Sequence, residues 1–239
     1  FCLQDMNQPS CDTEGRVAAG NNAFFANYSV GYSLDTLSGV TDVLIVGNDL
    51  IFESGAIYNG NVVYGHLTNL PTNQVSINNG TLRQDSVINF SAAEVELKSL
   101  SNMLKGYSIN GSTTVTNSEL RLTGTNPLFN SFLVTKDQIN AATEFIIDVP
   151  NGSVVLVNIS GDGINWQGGH YVYGTAKNNV LYNFYEAVNL QISNIDIQGS
   201  ILAPWADLEF PTGLISGQVV AKNISGQGQF NWDKFLGDI

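Results

Sequence analysis

The pentapeptide Gly199-Ser-Ile-Leu-Ala203 returns eighteen positions later as Gly217-Gln-Val-Val-Ala221, inside a stretch running from Gly199 to Phe230. Each copy reads glycine, a polar residue, two aliphatics, alanine. Weaker copies stand at Gly15-Arg-Val-Ala-Ala19 and Gly60-Asn-Val-Val-Tyr64. A short apolar strand that restarts after a glycine at a fixed interval marks a coiled solenoid. Three strands of about five residues and their corners need roughly 18–22 residues, so the interval fits one circuit of a parallel β-helix. Strand spacing alone also allows an antiparallel sandwich with two similar hairpins.

Composition supports the β reading. Only 13% of residues are charged, and polarity comes instead from 28 Asn, 24 Gly and many Ser and Thr, which suits strands joined by amide-lined turns. Twelve Phe, nine Tyr and three Trp supply a core and exclude a disordered chain. The net charge of −12 leaves no basic face for a phosphate backbone, so nucleic acid is excluded as a partner; the acidity serves solubility. No apolar run reaches the roughly 18 residues of a membrane-spanning helix, so no transmembrane segment is expected. A mature chain left by signal-peptide removal would begin as this one does, at Phe1.

Residues 1–14, FCLQDMNQPSCDTE, are polar and irregular and are expected to form an N-terminal cap or loop. Cys2 and Cys11, nine apart within it, could close a disulfide in an oxidising compartment or stay as two free thiols. Seven sequons, at Asn27, Asn79, Asn89, Asn110, Asn151, Asn158 and Asn223, are possible N-glycosylation sites and agree with secretion. One helix is expected, over about residues 91–105, with Ser91 and Glu94 as a capping box and Gly106 as its stop. Ala93, Leu97, Leu100 and Leu104 would form its apolar face, against the solenoid flank. Thr135-Lys-Asp-Gln138 reads as the cap of a short helical turn. No linker divides the chain, so residues 1–239 are expected to be one domain: mainly β, a right-handed parallel β-helix with one flanking α-helix. The hand follows from the general preference of parallel crossovers.

Several stretches resemble the choice-of-anchor A domain family: Asp12-Thr-Glu-Gly-Arg-Val-Ala-Ala-Gly-Asn-Asn with Asn27-Tyr-Ser-Val-Gly31, Gly199-Ser-Ile-Leu-Ala-Pro-Trp-Ala with Gly217 to Phe230, Asn89-Phe-Ser-Ala-Ala, and Leu122-Thr-Gly-Thr-Asn-Pro127. The resemblance covers nearly the whole chain. It implies a secreted or cell-surface adhesive domain, held by anchors that differ between relatives, and a β-helix similar in outline to ice-binding solenoids. It supplies no ligand and no catalytic residue, and no anchor segment is read in these residues.

The expected function is therefore non-catalytic binding of an extracellular glycan or protein. The candidate ligand patch is Asp162, Asn165, Trp166, Gln167, His170 and Tyr171, a Gly-rich stretch able to stack on sugar faces and bond their hydroxyls. No cofactor or metal site is expected, although a structural calcium could draw oxygens from Asp162, Asn165 and nearby carbonyls. His66 and His170 read as loop residues. Ice binding is the alternative, and it would need a flat face of stacked small or Thr residues. Thr113-Thr-Val-Thr116 is one such cluster, but the repeated rungs carry Ser200, Gln218 and Asn61 beside their glycines, an irregular ladder. A polysaccharide-active enzyme is the other alternative. Asp148, Asp162, Glu186, Asp196, Asp207 and Glu209 could meet in space, yet none sits in a paired motif.

Overall fold

A computed structural model describes residues 1–35 and 41–239. The chain is mainly β, with parallel strands stacked into a three-faced solenoid. The two copies of the opening repeat lie on adjacent rungs, Ile201 beside Val219 and Ala203 beside Ala221. The weaker copies lie in one sheet with the strand Asp42–Val46 between them, Val17 beside Leu44 and Leu44 beside Val62. All four copies belong to one face, here face A. Face B contains Leu50–Phe52, Ala23–Phe25, Met6–Gln8 and Ile164–Gln167; face C contains Gly55–Ile57, Tyr28–Val30, Cys11–Thr13 and Gln229–Asn231.

Alternation along each strand turns one residue in two inward, and the inward residues stack from coil to coil. Phe25 meets Phe52 and Tyr28 at 5.2 Å between ring centres. At the corners glycine is required by close approach. A Cβ on Gly47 would lie 2.2 Å from the Gly20 carbonyl oxygen, and one on Gly65 would lie 1.9 Å from that of Gly47.

The chain starts in the middle of the stack. Met6–Gln8 pairs with Ala23–Phe25 on one side and with Val219–Gly226 on the other. The first coils grow away from this seam as far as Leu82–Gln84. Helix α1, Phe90–Lys105, then carries the chain back across face A, and the later coils return to the seam. Its 16 residues span roughly 24 Å, about five strand spacings. Phe90 packs on Phe1 at 5.4 Å, and Tyr107, just beyond the helix, packs on Phe129 at 5.7 Å.

Four expectations need correction. Residues 1–14 are not a cap: they supply the strands Met6–Gln8 and Cys11–Thr13, because their inward residues continue the core stacks. Cys2 and Cys11 are both free. Half a coil separates them and puts them on different faces; Cys2 Sγ donates instead to the carbonyls of Asp5 and Lys222 at 3.1 and 3.3 Å. The α1 cap is Asn89, whose side chain accepts the Ala92 N–H, while Glu94 pairs with Lys98. On the packed side of α1, Leu100 gives way to Ser101, which is fully buried, and Leu100 is exposed. Gly106 does end the helix, and Thr135 and Gln138 form the capping box of a short α2, Lys136–Ala141.

Candidate functional site

Face B presents an unbroken outward row. Asn165, Gln191, Glu209, Ser225, Asn7, Phe24, Ile51 and Asn69 stand in direct register on successive strands. Their spacing is that of the sheet, about 4.8 Å. Six of the eight are exposed, and Phe24 and Gln191 are half-buried. At one end Asn165, Gln191, Glu209 and Ser225 line a shallow groove of about 470 Å³.

Asn and Asp residues at the start of the face B strands form a corner ladder, of which Asn189, Asp207 and Asn223 line the groove. Asn223 Oδ1 accepts the Asp5 N–H at 2.9 Å, and Asp5 Oδ1 accepts the Asn22 N–H at 3.0 Å. Asn22 Oδ1 accepts the Asp49 N–H at 3.3 Å, and Asp49 Oδ1 that of Leu67 at 3.1 Å. Each coil therefore caps an amide of the next, so the many Asn residues serve corners. Asp162 ends the series: its Oδ1 accepts the amides of Val188 and Asn189 at 2.8 and 2.7 Å. Those backbone donors hold its carboxyl down at about 2.

The structure divides the patch expected from sequence. Asn165 lines the groove, Gln167 is exposed further along the same strand, and Asp162 braces the corner. Tyr171 is 42% exposed on another sheet, in register with Ile146. Trp166 and His170 point into the core, at 1% and 5% exposure, and present no ring to a ligand. Strand alternation is the reason: Trp166 lies between outward Asn165 and Gln167, while its own ring meets Phe145 at 5.0 Å and Tyr182 at 5.1 Å.

His170 is thus a core residue of the strand Gly169–Tyr173, not a loop histidine. Its Nδ1 accepts the Gln198 N–H at 3.3 Å, so the ring proton sits on Nε2 and is donated to the Tyr182 hydroxyl at 2.7 Å. Burial pushes its pKa down to about 3, leaving it neutral. His66 is exposed and pairs with Asp49 at 2.8 Å.

Among the sequons, Asn158 is 1% exposed beneath α1, donating to the Leu104 carbonyl at 2.9 Å, so no transferase can reach it in the folded chain. Asn27, Asn79, Asn89, Asn110 and Asn151 are exposed, and Asn223 is half-buried in the corner ladder. Thr113–Thr116 lies in an antiparallel hairpin with Glu119–Thr123, away from the face B row. Asn61 and Ser200 accept the amides of Thr81 and Gln218 in the next coil, which makes them corner residues too.

Face B of this parallel solenoid thus carries a registered, mostly polar outward row. A family model described as "Putative Ice-binding-like adhesive domain" matches residues 1–232, and the chain belongs to that family. No curated protein matches it. Among solved structures the chain is similar to an ice-binding protein of Shewanella frigidimarina, at 13% identity over 98% of this chain and 92% of that one, with a TM-score of 0.41. An ice-binding protein from an Antarctic Flavobacteriaceae bacterium is 13% identical over 100% of this chain, which spans 63% of that protein, with a TM-score of 0.39. A glycosylated ice-binding protein from an Arctic yeast is 11% identical over 96% of this chain and 88% of that one, with a TM-score of 0.35. Likeness at this level says nothing about what this chain binds.

Proposed function

We propose that this is a secreted or cell-surface adhesive domain that binds an extended extracellular glycan, without catalysis, through face B. The carrying observation is the registered row of amides, Ser225 and Glu209 beside the groove at Asn165. Such groups bond sugar hydroxyls, and the spacing of the rungs suits a repeating ligand. The choice-of-anchor A resemblance belongs to the same reading.

Ice is the second reading, and the family's description supports it at least as well as adhesion. A parallel face with one residue per rung is flat enough for it. Against it stand Glu209 in the row and the bulk of Phe24 and Ile51, where an ice face calls for small or Thr residues. A glycan array run beside an ice-recrystallisation assay separates the two. Selective array binding with no recrystallisation inhibition is expected; inhibition that is lost on substituting the row, with a silent array, would install the ice reading.

A further inference from the structure

Four asparagines stand directly before a glycine: Asn59-Gly60, Asn79-Gly80, Asn110-Gly111 and Asn151-Gly152. Glycine has no Cβ, so its backbone nitrogen can close on the side-chain carbonyl carbon of the residue before it. In a folded chain that approach depends on how firmly the two groups are held. Asn59 is half-buried, and its Nδ2 donates to the carbonyls of Gly31 and Leu34 at 3.1 and 2.9 Å. Asn110 Nδ2 donates to the Phe129 carbonyl at 2.9 Å, and its Oδ1 accepts the Ser131 N–H at 2.8 Å. The Gly111 N–H is bonded as well, to the Ser131 carbonyl at 3.1 Å. Asn151 is exposed, but the Gly152 N–H donates to the Gly174 carbonyl at 2.8 Å.

Asn79-Gly80 differs from the others. It turns the corner between the strands Val75–Ile77 and Leu82–Gln84, in the outermost of the first coils, and Asn79 is exposed. Among the described residues neither the Asn79 side chain nor the Gly80 N–H has a hydrogen-bond partner. The residues on either side are tied down: the Asn78 N–H donates to the Ile57 carbonyl at 2.8 Å, and the Thr81 N–H to Asn61 Oδ1 at 3.0 Å. Gly80 itself rests on the preceding coil, where a Cβ would lie 1.8 Å from the Gly60 carbonyl oxygen. The nucleophile and the amide it would attack are thus both free, and water reaches them.

We infer that the folded chain deamidates selectively and spontaneously at Asn79. The Gly80 backbone nitrogen bonds to Asn79 Cγ, and the bond from Cγ to Nδ2 breaks. Nδ2 takes up the proton that the Gly80 nitrogen gives up and leaves as ammonia, which closes a cyclic imide. Water then opens the ring. Attack at Cγ gives aspartate; attack at the main-chain carbonyl gives isoaspartate. Either product puts a carboxylate where an amide stood. Isoaspartate also adds Cβ to the main chain, at the corner where Gly80 packs on Gly60.

The test uses the whole chain, made in a host that does not N-glycosylate, because a glycan on the sequon Asn79-Gly80-Thr81 would occupy the same nitrogen. The folded chain is held in mildly alkaline buffer made with heavy-oxygen water, which labels every acid formed during the incubation. Digestion and mass spectrometry then give a rate for each Asn-Gly pair and separate isoaspartate from aspartate. Asn79 is expected to convert roughly tenfold faster than Asn59, Asn110 or Asn151, a barrier difference of about 1.4 kcal/mol, and to yield both acids. In the urea-unfolded chain, where no pair is held, the rates should converge. Asn79→Gln should abolish conversion at that position and leave the other rates unchanged. An intact Asn79 in the folded chain, conversion at Asn151 as fast as at Asn79, or the same ranking in urea as in the folded chain would overturn the inference.

Discussion

Buried amides join α1 to the coils. Asn183 donates to the Ser101 carbonyl at 2.9 Å and to Asn158 Oδ1 at 2.8 Å, and Asn158 donates to the Leu104 carbonyl at 2.9 Å. These bonds satisfy carbonyls near the helix end that have no water to turn to. Asn183→Ala leaves several of these groups unpaired and should cost about 3 kcal/mol in urea unfolding. His170 sets the acid response. Its folded pKa, about 3, lies below the ordinary 6.5, so between those values the unfolded chain binds a proton that the folded chain refuses. Stability should therefore rise with pH through that window and fall as pH drops from 6.5 toward 3. His170→Phe should flatten this slope in urea midpoints measured across pH; an unchanged slope would mean that other groups set it. Neither role was legible from sequence. A Gly-rich run holding Trp166 and His170 looks like a loop because composition does not show which side of a strand each residue takes. The alternation Asn165, Trp166, Gln167 was the available signal, polar on both sides of one large ring.

At the scale of elements, the repeat gave the coils away because four face A strands, beginning at Val17, Asn61, Ser200 and Val219, restart just after a glycine. Eighteen residues is the rung spacing between Ile201 and Val219. Gly65→Ala tests the corner directly: the new Cβ meets the Gly47 carbonyl, which cannot move without shifting a rung, and a loss of roughly 3 kcal/mol in thermal melts is expected. The same substitution at Gly152, where nothing lies within 4 Å, brings only the strain of its φ of +77°. The helix was legible from its 3.6-residue period, but its facing was off by one position. Leu100 is the more apolar residue, yet Ser101 is the one buried, because its hydroxyl meets Asn183 at 2.5 Å. That partner lies 82 residues away, beyond the reach of any local pattern.

For the whole molecule, the seam was hidden. A sequence read in order suggests a stack built from one end to the other, with residues 1–14 outside it. The first strand instead lies against one of the last, Met6 beside Ile224, and that pairing is non-local by nature. The face B row was hidden for a related reason: Asn165, Gln191, Glu209, Ser225 and Asn7 come from five separate strands, and Asn7 joins the other four only where the seam closes. Their convergence on one open face is the basis of the binding proposal. The most direct measurement is a glycan array with the folded domain and with a variant carrying Asn165→Ala, Gln191→Ala and Glu209→Ala, outward side chains whose loss leaves the core intact. Selective binding by the domain that falls at least tenfold in the variant is expected. Equal binding by both proteins, or none by either, would contradict the assignment of face B as a glycan-binding surface.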